Sequence, residues 1–364
     1  QIKKINLTDA HISYLEKGES IFEVSNLNIS AEDFTWPLTK KLDWLNNDKL
    51  AIEAENIQFD LNNLHYLKSE KITFNQQTAS ITNFSIQPKY STTNYVNYID
   101  TEKDLMDLKT KSVTISGLNL YKKDSLFQVF SKKIEIDSSD FNIYRDKTIA
   151  NDLSFKPLYS QSLRELDFLL TVDSLLVSDL DLAYQELLVK NRQPAEIKFN
   201  SIQAEVSNLH NDIDSEKPEI DVQAKAKFSK DSKINFSYKL VPDNDQFCVS
   251  TQLKSVKGES VNSFFGSAMS MELDGSIDNI TTALKANNSE MNGNFSIAYE
   301  KLKVNILKKD GAKNPFASLM SNALIRNKDV DDTLELKKIK RNPTKSFWNY
   351  IWTFHLQGLK KTLL

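Results

Sequence analysis

The side chains that could do acid–base or metal chemistry are few and scattered. The four histidines are His11, His65, His210 and His355, and no two stand at the i, i+4 spacing of a helix-borne zinc site. His11 alternates with Ala10 and Ile12 and reads as a residue on the polar face of a strand. Asp179 with Asp181, and Asp329 with Asp331 and Asp332, could be drawn as glycosidase carboxylates. Among 49 acidic residues such pairs arise readily, and they read as solvated surface. Cys248 is the single cysteine, which excludes an intramolecular disulfide and a paired-cysteine zinc site. Its place in the strand 247–253 reads as that of a small buried hydrophobe. Gly-rich phosphate loops and nucleophile elbows are missing as well. The expectation is a protein that is not an enzyme and uses no cofactor or metal.

What the chain does repeat is apolar. An eight-residue pattern, apolar-x-apolar-x-x-apolar-x-apolar, starts cleanly at Ile5, Phe22, Ile52, Ala79, Val113 and Ile197. Two degraded copies start at Ile134, where Ser139 takes an apolar position, and at Leu175, which adds Leu176. With 40% apolar residues about one clean copy is expected by chance, so six mark a repeated architecture. Alternation places every second side chain on one face of a sheet. The two-residue gap would flip that parity unless a β-bulge restores it. The alternative is a hairpin turn in the gap, for which Thr8-Asp9, Ser25-Asn26, Thr82-Asn83 and Ser116-Gly117 are suited. That would leave strands of only about three or four residues. Better turns lie outside the motifs, at Glu16-Lys17-Gly18-Glu19 and Lys122-Lys123-Asp124-Ser125. The sequence therefore predicts long, kinked strands joined as hairpins.

Composition agrees. Eight Gly and eight Pro in 364 residues, with plentiful Asn, Ser, Thr, Ile, Lys and Asp, suit long strands better than a loop-rich enzyme. A net charge of −3 with interspersed signs offers no field or motif for nucleic acid. No run of 18 or more apolar residues is present to span a membrane. The chain opens at Gln1, nearly inside a repeat, and is expected to be the body of a longer protein with an export or anchor segment before it.

Along the chain, residues 1 to 91 read as two strand pairs interrupted by Phe34-Thr-Trp-Pro-Leu38 and a connector at 43–48. Residues 95–107 read as a short helix covering an edge or end of the sheet. A second hairpin fills 113–149, and 158–166 reads as helical after Pro157. Alternate copies recur roughly every 47 to 63 residues, too irregular for a strict solenoid. From Pro218 the motif gives way to alternating strands at 220–228, 234–240, 247–253, 269–273 and 295–307, and an antiparallel meander is the economical topology.

The C-terminus changes character. Pro315 opens a helical pattern through Phe316, Leu319, Met320, Ala323 and Leu324. A charged connector with the basic run 337–341 follows. After Pro343 a helix of about 21 residues carries Phe347, Trp348, Ile351, Trp352, Phe354, Leu356, Leu359 and Leu363. His355, Gln357, Lys360 and Lys361 interrupt its apolar surface, so it reads as interfacial or docked on protein. Phe347, Trp348, Ile351, Trp352, Lys360 and Lys361 would seat it on a membrane surface or an envelope protein. Three regions result: a groove of repeated hairpins at 1–217, a C-terminal β region at 218–310 and a helical segment at 311–364.

Apolar strand residues ordinarily fill a sandwich core. Here too little helix and no complementary set of strands is evident to cover a sheet of so many repeats, which leaves a face able to curl around lipid. Repeats such as Leu169-Leu-Thr-Val-Asp-Ser-Leu-Leu-Val-Ser-Asp-Leu-Asp-Leu-Ala-Tyr184 resemble the AsmA-like proteins of the bacterial envelope, including the TamB-related group. So do the blocks Leu273-Asp-Gly-Ser-Ile-Asp-Asn-Ile280, Met291-Asn-Gly-Asn-Phe-Ser-Ile-Ala-Tyr-Glu-Lys-Leu-Lys-Val304 and Pro343-Thr-Lys-Ser-Phe-Trp-Asn-Tyr-Ile-Trp352. The likeness covers most of the chain. It implies a mainly β fold, a long curved antiparallel groove with a few short helices, held in the periplasm by an N-terminal anchor in the inner membrane. It also implies a conduit for phospholipid between membranes, acting without a cofactor. This chain lacks the anchor and is short beside the longest members, and the family pattern designates no catalytic residues.

The residues expected to touch acyl chains are Ile5, Leu7, Ile12, Phe22, Val24, Ile57, Phe59, Ile81, Phe84, Val113, Ile115, Leu118, Ile136, Phe141, Val177, Leu180, Ile197, Phe199 and Ile202. The rival expectation is a structural or regulatory scaffold of the envelope whose sheet is packed dry.

Overall fold

Long alternating segments poor in Gly and Pro form one open, curved sheet of sixteen strands in a computed structural model, which describes residues 2–34, 49–123, 126–213, 218–228, 231–308, 313–315, 317–318 and 333–363. The strands are β1 (Ile2–Glu16), β2 (Glu19–Phe34), β3 (Ala51–Asn62), β4 (His65–Asn75), β5 (Thr78–Pro88), β6 (Asp104–Ser116), β7 (Asn119–Lys123) and β8 (Leu126–Asp146). Then come β9 (Phe168–Leu187), β10 (Ala195–His210), β11 (Ile220–Lys227), β12 (Lys233–Leu240), β13 (Phe247–Lys257), β14 (Met271–Ala286), β15 (Glu290–Ile306) and β16 (Leu334–Lys340). They lie side by side in sequence order, with β7 continuing the register of β6 along β8. Three α-helices complete the described chain: α1 (Tyr159–Arg164), α2 (Asn262–Met269) and α3 (Phe347–Leu363).

The gaps of the repeat are bulges, not turns. In seven of the eight copies the fifth residue has a left-handed backbone: Asp9, Asn56, Asn83, Gly117, Ser138, Asp179 and Ser201 have φ between 48° and 65°. Asn26 of the Phe22 copy is the exception. Asp, Asn and Gly are the residues that enter this region at least cost. Where a gap lies opposite a continuous stretch the pairing slips by one residue, so that Leu7 faces Ile29 but Ala10 faces Leu27, and Phe199 faces Leu182 but Ile202 faces Leu180, whereas gap opposite gap, as between β2 and β3 or β8 and β9, leaves the register unshifted. Each slip resets the parity, so both halves of the motif present apolar side chains to the same face. In the Val113 copy the interruption is wide enough to separate β6 from β7. The Lys17–Gly18 turn joins β1 to β2 through two residues at φ 51° and 87°, the type that matches strand twist. For the second expected turn, Lys123 pairs with Leu126, while Asp124 and Ser125 lie outside the described residues.

Several expectations need correction. The sheet is a meander except at β8 and β9, which run parallel from Phe127 with Phe168 to Asp146 with Leu187. The connection 147–167 crosses over between them, as a parallel pair requires. It contains α1, where the sequence pattern placed a helix, held by Arg164 donating to the Pro242 carbonyl (2.8 Å) and to Asp245 (2.8 Å). The helix expected at 95–107 is a single 3₁₀ turn at Tyr95–Tyr98, because Asp104 already begins β6. The strand expected at 269–273 begins at Met271, runs to Ala286 and follows α2, which the pattern did not reveal. The basic connector at 337–341 is mostly β16. Cys248 is exposed, since alternation buries Phe247 and Val249 and turns it outward. The connector at 43–48, the Asp329 group and most of the helical pattern from Pro315 lie outside the described residues.

The principal core belongs to the C-terminal half. Side chains of β11 to β16 meet α2 and α3 in one cluster in which Met271, Met291, Phe295, Val304, Phe354 and Leu363 are fully buried. The other two clusters are small, one around Val24, Ala54 and Ile57 and one around Leu64, Tyr95 and Leu105.

The left-handed fifth position gives a direct test. Asn56→Val should lower unfolding free energy by about 1–2 kcal/mol, the cost of placing a β-branched residue at φ 51°, while Asn56→Gly should leave it nearly unchanged. Urea denaturation of the three proteins measures the difference.

Candidate functional site

Side chains directly opposite each other on paired strands share a face, so the register traces continuous rows across the sheet. One row runs Ile29, Ile52, Phe74, Ala79, Ile115, Ile134, Leu175, Val206, Val222, Tyr238, Val249, Leu284. Its neighbour runs Leu27, Ala54, Ile72, Ile81, Val113, Ile136, Val177, Ala204, Ala224, Phe236. Beyond the kinks a third row, Phe59, Leu67, Ile86, Leu108, Phe141, Leu182, Phe199, is equally apolar. The parallel pair does not interrupt the rows, because the motif reads the same in both directions.

Between these rows lies a polar seam that the sequence pattern flagged only as a defect. Ser139, the residue out of place in the Ile134 copy, is buried, and its hydroxyl shares a 3.0 Å hydrogen bond with that of buried Thr110. Ser69, also buried, donates to the Thr82 carbonyl at 3.0 Å. Each hydroxyl has a partner, so burial leaves no uncompensated group. At one margin the same face turns charged: Asp104 accepts two hydrogen bonds from Arg145 at 2.7 and 2.6 Å, and Lys147 pairs with Glu186 at 2.8 Å. Burial works against the Arg145 charge, but the hydrogen bonds and attraction of Asp104, with Tyr184 and Glu102 adding to them, raise its pKa.

The nineteen residues expected to touch lipid all lie on strands β1–β6 and β8–β10, apart from Leu118 between β6 and β7. Val24 and Ile57 are buried in the small cluster, Leu7, Ile12 and Phe59 are exposed, and the others are half-buried. Apart from Val24 and Ile57, and Phe22 packed against them, they are neither interlocked in a core nor fully wet. Leu27, Ile29, Ile52, Ile72, Phe74, Ile134, Leu175 and Leu182 belong to the same rows and were missed, although most occupy motif positions that the repeat itself defines.

The same face is closed in the C-terminal half by α3. Ser346 opens that helix by accepting the Asn349 N–H at 3.2 Å, and Lys360 and Lys361 sit in its last turn, where cations suit the helix dipole. Phe347 and Ile351 are buried against the sheet, Phe347 packing on Tyr238 and Phe247 with ring centroids 5.0 and 5.5 Å apart. Trp352 lies on Phe264, and Trp348, 56% exposed, rests on Phe236. The apolar side expected to seat on a membrane is thus turned to the sheet. A cavity of about 880 Å³ crosses β9 to β14, lined in part by Val177, Ala204, Ala224 and Phe236 of the second row. Its lining includes Gln203, Gln223, Asn235 and Gln252 but no residue of α3.

No group of His, Cys, Asp or Glu among the described residues could hold a metal ion, and no helix among them is long and apolar enough to cross a membrane. No family model matches the chain, and no curated protein is significantly similar to it.

Two histidines make the packing sensitive to acid. His355, on the sheet-facing side of α3, lies 3.4 Å from the Thr282 hydroxyl and 3.0 Å from the Ile351 carbonyl, and burial lowers its pKa from 6.5. His65 accepts the Met106 N–H at 2.8 Å, and burial, helped by Lys89 and opposed by Asp104, lowers its pKa too. The unfolded chain takes up these protons near pH 6.5 and the folded chain only at lower pH, so stability is complete above that value and falls as pH drops below it. Urea midpoints at pH 7.5 and 5.5 should show the loss, and His355→Phe should reduce it. The fit of α3 offers a second check. A Cβ at Gly358 would overlap the Phe295 ring, so Gly358→Leu should destabilise the fold by about 3 kcal/mol in the same assay.

Proposed function

We propose that this chain is a lipid-binding and lipid-transfer protein of the AsmA-like type, working in the bacterial envelope from an inner-membrane anchor, with acyl chains lying along the uncovered apolar rows of β1 to β9. The observation that carries the reading is the contrast within one face: β11 to β16 are covered by helices and α2 reaches β10 as well, whereas the same rows continue largely half-exposed over β1 to β9. Eight side-by-side strands, β7 lying off their path, at about 4.8 Å spacing give that open stretch a length of roughly 34 Å, longer than one leaflet's hydrocarbon, about 15 Å. Covering apolar side chains with hydrocarbon gains about 25 cal/mol per Å² and demands no specific polar partner, which suits sliding rather than tight capture. The polar seam is self-satisfied and asks nothing of the lipid. No constellation of side chains in the described residues supports an enzymatic reading.

Native mass spectrometry of detergent-free protein should show co-purified phospholipid, and fluorescent-lipid exchange between vesicles should accelerate in its presence. Ile136→Glu, in the middle of the second row, should cut transfer at least about tenfold by placing a charge against hydrocarbon, while Asp137→Asn on the outer face should not. Protein free of lipid and inert in vesicle exchange would overturn the proposal and favour the scaffold.

A further inference from the structure

The first and second apolar rows are not closed at the same strand. In the first row Val206 of β10 and Val222 of β11 already pack against the helical core, and Tyr238 and Val249 beyond them are buried. In the second row Ala204 and Ala224, on the same two strands, are half-exposed. Cover begins there only at Phe236 of β12, where the Trp348 ring of α3 lies with its centroid at 5.6 Å. Past Phe236 the row continues as Thr251, Thr282 and Phe295, and the last two are fully buried against α3 at His355 and Gly358. The edge of the cover is therefore oblique, and the second row runs two strands further than the first before it meets a wall.

Trp348 is the exposed part of that wall. Phe347 and Ile351 beside it on α3 are buried, and Trp352 lies on Phe264. The indole N–H of Trp348 is taken up by the Tyr159 hydroxyl of α1, and its ring meets Phe347 at 5.1 Å as well as Phe236. With its polar edge satisfied and its ring held between two helices and a strand, the side chain presents ring carbon to the end of the open row. Such a ring offers hydrocarbon a large contact area at little cost in side-chain entropy.

We propose that Trp348 is the end contact of the acyl path: a phospholipid acyl chain lying along the second row passes Ala204 and Ala224 and stops against the Trp348 ring. The occupant is hydrocarbon because this stretch continues the half-exposed rows of β1 to β9 without a break. The inference rests on the lipid-binding reading and adds to it the place where the path ends. α3 then acts as an end wall, and a lipid that reaches it leaves sideways past Trp348 instead of moving beneath the helix.

The test uses the whole chain in a Trp36→Phe, Trp44→Phe background, which leaves Trp348 and Trp352 as reporters. The protein is loaded with phosphatidylcholine brominated on its acyl chains and freed of vesicles by gel filtration, and its bound lipid is counted by native mass spectrometry. Tryptophan emission should fall well below that of the complex with unbrominated lipid. Trp348→Phe should remove most of that quenching with no change in lipid count or thermal midpoint. Ala224→Phe, which fills the last open position before the wall, should relieve the quenching while lipid stays bound. Bound brominated lipid with undiminished emission would overturn this inference and leave lipid binding standing, and so would quenching that persists in Trp348→Phe. Absence of bound lipid from every preparation would overturn both this inference and the reading beneath it.

Discussion

The constraint on which this architecture depends is the parity of the β-strand. A strand longer than a few residues must send successive side chains to opposite faces, and any odd insertion exchanges the faces. Here one residue in a left-handed conformation restores the parity in seven of the eight motifs. Asp9, Asn56, Asn83, Ser138, Asp179 and Ser201 are therefore worth more to the fold than their exposure suggests. Without them the second half of each motif would turn its apolar residues to water. With them, strands such as β8, from Leu126 to Asp146, keep one side mostly apolar, interrupted by Ser139 and ending in Arg145, and bend as they do so.

From aligned kinks follows the division of the face. A bent sheet with one apolar side must cover that side with something. In the C-terminal half it does so with its own helices, above all α3, which sits so close that only glycine fits at position 358 beneath the Phe295 ring. The lock on this helix extends beyond its own strands. Lys345, just before it, reaches buried Glu102 at 3.0 Å, and Arg341 bonds to the Lys156 carbonyl on the crossover. The C-terminal segment is thus bound to the middle of the sheet as well as to its end. That arrangement closes one stretch of the apolar face firmly and leaves the rest largely half-exposed.

Much of this was legible in the sequence. The period-two pattern, the kinked strands, the Lys17–Gly18 turn, the α1 segment and the terminal helix follow from residue types whose preferences are local. The fifth position of the motif was also there to be read, as Asp, Asn, Gly or Ser in all eight copies, and it distinguishes a left-handed bulge from a turn that would ask for two such residues. What was not legible depends on distant partners. Residues 147–167 carry the connection that makes β8 and β9 parallel, but nothing in their composition says on which side the chain returns. Cys248 alternates with two core residues, and only the placement of the cover decides which of the faces is buried. The strand at β16 was hidden by its lysines, since charge at an edge reads as a connector until the neighbour, β15, is known.

The parallel pair shows how far the motif governs the rest. Reversing one strand in a sheet ordinarily changes which residues stand opposite, yet Ile134, Ile136 and Phe141 meet Leu175, Val177 and Leu182 as directly as antiparallel neighbours do. The reason is that apolar-x-apolar-x-x-apolar-x-apolar is a palindrome. A partner entering from either end finds apolar opposite apolar and gap opposite gap, as Ser138 and Asp179, at φ 52° and 57°, confirm in the middle of this pair. Strand direction and connection are therefore free to vary while the rows persist. It follows that the apolar face is set by the repeat and not by the topology, and a chain organised in this way can lengthen its face by adding motifs without redesigning any that are already in place.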